Sequence, residues 1–228
     1  MSDSVLITGA AQRVGRETAL YFSRRGLHVW IHYRNSEDEA LSLCEQIRVE
    51  GGTADPVQAD LCSIADMDRM TETLRNSGRF PKLLIHNASV FERGRLSEAK
   101  ADRWTRIMDT NLRSVWYLSD LFYREILTSG VGQSCIIMVG DANAAENQLS
   151  SLYGLSRLFL EPLCRQLAAE YAPYVRVNLA EPGYLMQGVG ESESFWKSHC
   201  RDGAMERYLN LLDTIWQSDC SGECFRVG

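Results

Sequence analysis

Short apolar runs alternate along this chain with stretches of helical periodicity. Val5-Leu6-Ile7 opens it and breaks into Thr8-Gly9-Ala10-Ala11-Gln12-Arg13-Val14-Gly15. Ala19, Leu20 and Phe22 then form the apolar side of a helix that Gly26 stops. A second strand is expected over 27–33, a polar break at Arg34-Asn35-Ser36, and a helix from 37 to about 50, ended by Gly51-Gly52. The same rhythm gives strands at 54–59, 83–86, 135–139 and 175–179, with helices at 64–76, 101–128 and 153–171. Apolar strands alternating with helices predict an α/β fold: a doubly wound, Rossmann-type parallel sheet with helices on both faces. No repeat or linker divides the chain, so residues 1–228 are expected to form one domain. Only the Gly- and Glu-rich stretch from Tyr184 to about residue 193 reads as a mobile loop.

Composition narrows the class. Lys+Arg number 24 against 30 Asp+Glu, a formal charge of −6, which speaks against a nucleic-acid partner. No apolar run approaches the about 20 residues of a membrane span, and the first residues lack a basic leader. The 7 cysteines are scattered. Cys220 and Cys224 are not a CxxC pair, so neither a disulfide framework nor a metal site is expected. A reducing cytoplasm is the compartment they suggest.

The break after the first strand carries the first chemistry. Gly9 and Gly15 let backbone approach phosphates, and the helix that follows points its positive end at them. Gly9, Arg13, Val14 and Gly15 are therefore expected to bind a dinucleotide. A carboxylate at the end of the second strand would accept ribose hydroxyls and repel a 2′-phosphate. Here the strand ends His32-Tyr33-Arg34-Asn35-Ser36, with no acid before Glu37. Arg34, with Arg13 in reach, favours NADPH, unless both arginines are simply solvated. Asp60-Leu61 either receives the adenine, or Asp60 is a helix N-cap.

Asn87-Ala88-Ser89 ends the fourth strand, Asn111 lies in a long helix, Tyr153 opens another, and Pro182-Gly183 follows the sixth strand. With the glycine loop, these resemble the short-chain dehydrogenase/reductase family over nearly the whole chain. Arg13, His32-Tyr33-Arg34, His86-Asn87-Ala88-Ser89 and Asp141 look most like its pteridine reductase and dihydromonapterin reductase branch. The resemblance implies NADPH-dependent reduction of a dihydropterin or dihydrofolate. Tyr153 would be the proton donor, Arg157 the cation beside it, and Asn111 the holder of a water. Asp141 would orient Tyr153 or hydrogen-bond a pterin nitrogen, and Phe91 would stack on the pterin. Arg13, Phe91, Asp141 and Tyr153 would thus bind substrate. Asn87, Ala88, Ser89, Tyr153, Arg157, Pro182 and Gly183 would bind cofactor. It also implies a homotetramer or homodimer paired through the helices near 101–128 and 153–171.

Taken singly, Tyr153 and Phe91 also read as packing residues, and Asp141 as a loop cap. Two positions depart from the family. Its motif is Tyr-x3-Lys, whereas this chain reads Tyr153-Gly154-Leu155-Ser156-Arg157. Arginine keeps the charge but cannot hand on a proton, and its wider head needs space. Asp141 stands one residue closer to Tyr153 than the family spacing, where Gly140 would fall. A carbonyl reductase of the wider family and a catalytically silent NADP-binding protein are the alternatives.

Overall fold

The computed structural model describes residues 3–130, 132–145, 150–187 and 192–227. Seven parallel strands form one sheet in the order β3-β2-β1-β4-β5-β6-β7. They are β1 (Ser4–Ile7), β2 (His28–Tyr33), β3 (Ala54–Gln58), β4 (Leu83–His86), β5 (Ser134–Val139), β6 (Val175–Pro182) and β7 (Cys224–Val227). Helices α1 (Arg13–Arg24), α2 (Glu37–Val49) and α3 (Ile64–Asn76) connect the first four strands. Helices α4 (Ala101–Met108) and α5 (Ser114–Ser129) lead to β5, and α6 (Ser151–Leu158) and α7 (Leu160–Tyr171) to β6. Two more, α8 (Glu193–His199) and α9 (Ala204–Gln217), precede β7.

Strand alternation divides the core. Val5 and Ile7 of β1, Leu83 and Ile85 of β4, and Ile137 of β5 pack with Phe22 of α1, Leu43 of α2 and Leu212 of α9. Leu6, Leu84, Ile136 and Met138 pack on the other face with Met67 of α3, Phe122 of α5 and Leu167 of α7. Both sheet faces are therefore covered, which is why the strands lack polar alternation. Each fully buried Leu, Ile or Phe side chain contributes about 1.5–3 kcal/mol.

The expected long helices are each interrupted. A five-residue π turn, Asp109–Arg113, separates α4 from α5, and Phe159 separates α6 from α7. No Gly or Pro marks the first, so the periodicity runs straight through it, whereas Pro162 in the first turn of α7 lacks the N–H that would bond the Leu158 carbonyl and accounts for the second. Helix α6 begins at Ser151, ahead of the expected start at Tyr153, and β6 runs on to Pro182. Residues 184–187 are irregular, 188–191 lie outside the described residues, and α8 begins at Glu193, where the expected loop ends.

The strand order reverses between β1 and β4. At such a switch point the connecting loops part and leave a crevice at the carboxyl ends of the strands. The motifs singled out above gather there.

Candidate functional site

A cleft of about 640 Å³ opens at that edge. Its cofactor end is built by a network that needs these residue types. The Thr8 Oγ1 accepts from the backbone N–H of Asn87 and of Ala88, each at 3.0 Å. The Asn87 side-chain amide donates to the carbonyls of Thr8 at 2.9 Å and Gly9 at 3.2 Å. These bonds pin the β1 and β4 ends side by side. A Cβ on Gly15 would lie 2.2 Å from the Gly9 carbonyl and 2.7 Å from the Asn87 amide nitrogen, so glycine is obligatory. Gly9 has φ 64° and Arg13 φ 53°, both left-handed. Among the described residues no side chain caps the α1 N-terminus, which faces the cleft with its N–H groups free.

His32 holds this loop, a role that chain spacing does not show. Its Nδ1 accepts from the Gly9 N–H at 3.0 Å, and its Nε2 lies 3.1 Å from the Ala59 carbonyl. Only a neutral imidazole carrying its proton on Nε2 makes both bonds. Burial holds its pKa down at about 4. His32 thus couples the glycine loop to the segment carrying Asp60 and Leu61, both of which line the cleft. Asp60 Oδ1 accepts from the Cys62 N–H at 2.9 Å, so it closes a turn. The cap of α3 is Ser63, whose Oγ accepts from the Asp66 N–H, which removes the N-cap reading of Asp60. Arg34 lines the cleft and is exposed, and its guanidinium has no partner among the described residues. Arg13 reaches across the mouth, where its Nη2 donates to the Gln187 carbonyl at 2.9 Å.

The other end gathers the chemical residues. Tyr153 is buried on α6, with Phe91 edge-on to its ring at 4.9 Å between centroids. Phe91 is 49% exposed, so it is cleft wall and not core. The Arg157 guanidinium carbon lies 5.2 Å from the centre of the Tyr153 ring. Arg157 is itself buried and donates from Nη1 to the Val139 carbonyl at 3.2 Å. The end of β5 thus accommodates the wide head. Asp141 accepts from the Asn143 N–H at 2.8 Å, closing a loop turn as one of its readings had it. Its carboxylate also acts on the Tyr153 phenol, so the short spacing still delivers an acid to the site. Burial raises the Tyr153 pKa, Arg157 opposes this, and Asp141 adds to it. Desolvation outweighs the cation, so the phenol lies above its ordinary value.

Val14, Ala88, Ser89, Pro182 and Gly183 complete the walls, and the Gly183 N–H donates to the Val227 carbonyl over 2.7 Å, tying the cleft wall to β7. Asn111 is the exception among the expected site residues. It is fully buried in the π turn and does not line the cleft. Its amide donates to the Val90 carbonyl at 3.0 Å and to Ser156 Oγ at 3.0 Å, while its oxygen accepts from the Val90 N–H at 2.8 Å. Both amide hydrogens are spent on protein, so its side chain positions Phe91 and α6. Among the described residues no group of three or more His, Cys, Asp or Glu side chains forms a metal cluster.

A glycine-lined crevice at the switch point of a parallel sheet, opening on a buried tyrosine–arginine pair, defines a dinucleotide-fold site equipped for proton transfer. The short chain dehydrogenase model matches residues 3–196, and the chain belongs to that family. A 3-oxoacyl-[acyl-carrier-protein] reductase of Staphylococcus epidermidis is 25% identical over 187 residues, covering 82% of this chain and 76% of the relative. A crystal structure of FolM alternative dihydrofolate reductase 1 from Brucella canis, complexed with NADP, superposes with a TM-score of 0.85 at 23% identity, covering 99% of this chain and 92% of that one. An acetoin dehydrogenase from Enterobacter cloacae gives 0.87 at 19%, covering 100% and 94%. At these identities the structures establish the fold.

Proposed function

We propose that this protein is an NADPH-dependent reductase of a dihydropterin or dihydrofolate-like substrate. Arg34 supports the 2′-phosphate, standing without a side-chain partner among the described residues where an NAD-binding chain would carry an acid. The Brucella FolM proteins were crystallised with NADP. The residues present fit the cofactor: a Gly15 cradle that a Cβ would fill, a helix N-terminus that no described side chain caps, and an exposed arginine at the cleft for the extra phosphate.

Bound NADPH supplies the hydride. Tyr153, held protonated by burial, donates its phenolic proton to the substrate atom that gains charge and recovers it from solvent. Arg157 sits beside the phenol and steadies the transient phenolate. Phe91 offers a flat, half-exposed face for a heterocycle.

Asp141 carries the substrate reading. Its carboxylate lines the cleft and acts on the phenol, where it suits a ring bearing N–H donors. The same carboxylate would repel the alkoxide that develops when a simple ketone is reduced. The competing ketone-reductase reading draws on the curated 3-oxoacyl reductases, which are 25% identical. NADPH oxidation with dihydrofolate, dihydromonapterin, dihydrobiopterin and a panel of ketones and 3-oxoacyl thioesters separates them. Turnover of the pterins well above the ketones is expected. The reverse order hands the site to the ketone reading, and NADPH binding without turnover of any of them to the silent one.

A further inference from the structure

The loop after β4 gives two side chains to the cleft wall, Phe91 and Arg93, and turns the one between them away. Glu92 points to α4 instead, where Arg103 Nε lies 3.4 Å from its carboxylate and Arg106 pairs with the other oxygen. Arg103 Nη2 also donates to the Glu92 carbonyl at 3.2 Å. On the other side Gly94 forms a parallel bridge with Ser150, directly ahead of the helix that carries Tyr153. The backbone at Arg93 is thus held from both sides, by α4 and by the approach to α6.

Its side chain is not. Arg93 is exposed and makes no ion pair or hydrogen bond among the described residues. The acid beside it is already shared by two other arginines. Neither carboxylate of the cleft wall pairs with it: Asp60 accepts from the Cys62 N–H and Asp141 from the Asn143 N–H. The remaining arginines of the cleft are placed elsewhere. Arg13 donates to the Gln187 carbonyl, Arg157 to the Val139 carbonyl, and Arg34 stands at the end of β2. With 24 Lys+Arg against 30 Asp+Glu, the chain is short of cations, so this one is no by-product of a basic surface.

We propose that Arg93 is a specificity-determining residue: it binds an anionic group, a carboxylate or a phosphate, on the part of the substrate that extends beyond the reacting ring. A planar guanidinium takes either group through two parallel N–H donations. Phe91 receives the flat ring and Arg93 the charge, so the favoured substrates are reduced pterins with an acidic tail. The ring half rests on the function proposed above, whereas the anion half does not.

Calorimetric titration of the NADP-loaded protein, in which no hydride is available, reads affinity apart from turnover. The probes are dihydrofolate, whose tail carries carboxylates, dihydroneopterin monophosphate, and the neutral dihydrobiopterin. An anionic probe should bind more tightly than dihydrobiopterin. Arg93→Gln should weaken that probe about tenfold and narrow its advantage over the neutral one, and Arg93→Lys should recover part of the loss. The anionic probe that loses more identifies the group. An equal loss for charged and neutral probes, or no loss for either anionic probe, would overturn the proposal. If no pterin binds the native protein, the ring reading falls, and the comparison passes to a 3-oxoacyl coenzyme A thioester against its neutral N-acetylcysteamine analogue. A loss confined to the coenzyme A thioester would then support the anion half alone. No such loss, or no binding of either thioester, would overturn that half too.

Discussion

At the scale of single residues, the Tyr153 phenol is governed by a contest that burial wins over Arg157. Reduction needs the protonated phenol, and a raised pKa keeps it so throughout the neutral range. Turnover should therefore stay level through neutral pH and fall only above about 10, the ordinary tyrosine value. An alkaline limb near neutrality in the pH–rate profile would contradict this. Arg157→Lys should preserve or raise turnover, whereas Arg157→Ala should lose turnover and some NADPH affinity together. NADPH should bind at least about tenfold better than NADH, a difference of about 1.4 kcal/mol, and Arg34→Asp should narrow or reverse that ratio. Equal affinities in the unmutated protein would defeat the assignment. Most of the cleft was legible because its residues sit at the ends of predicted strands, where a parallel sheet gathers them. Asn111 and His32 were not legible in their roles. Each acts through bonds to a distant backbone, Val90 for one and Ala59 for the other, and chain spacing carries no sign of either.

At the scale of elements, the β1–α1 turn is the least forgiving. A Cβ at Gly15 meets backbone at 2.2 Å, so Gly15→Ala must displace the Gly9 carbonyl. NADPH affinity should fall about tenfold or more while the sheet still forms, which titration and circular dichroism together would show. An alanine variant with native affinity would mean the cofactor does not use this turn. The sheet as far as β6 could be read from its apolar runs and Pro162 marks the break before α7, but nothing in the sequence marks the π turn in the first long helix. The C-terminal elements differ in kind. Tyr208, Leu212 and Ile215 of α9 are buried at helical spacing, a signal present in the sequence. Strand β7 is four residues long and only partly buried, and becomes a strand because the β6 edge is there to pair with it.

At the scale of the whole molecule, two properties follow. His32 and His86 are buried neutral, with pKa values lowered by burial to about 4 and about 3. Unfolded histidine takes up its proton near 6.5, so between there and the folded values the unfolded chain binds more protons. The stability these groups contribute is complete above pH 6.5 and is lost as pH falls through their folded pKa values. For His32 alone the loss is roughly 3 kcal/mol. Denaturant midpoints should drop steadily from pH 6.5 to 4, and a flat profile would show that the imidazoles are not held neutral. The second property is assembly. Trp116 is 46% exposed and Phe159 42%, and they border an apolar groove with Met108, Leu112, Pro162 and Leu163. We propose that the α4–α5 and α6–α7 faces pair two copies, as the family resemblance implies. Light scattering at micromolar concentration should give a dimer or tetramer, and a monomer would remove the proposal. No helix among the described residues is long and apolar enough to cross a membrane.

The central claim is that Tyr153 delivers the proton while NADPH delivers the hydride. Single-turnover stopped flow with the NADPH-loaded protein and a dihydropterin tests it most directly, comparing the native chain with Tyr153→Phe. The native protein should oxidise its bound NADPH, and the phenylalanine variant should bind NADPH with nearly native affinity yet leave it unoxidised, because only the donor oxygen is gone. Oxidation at the native rate by Tyr153→Phe would contradict the account.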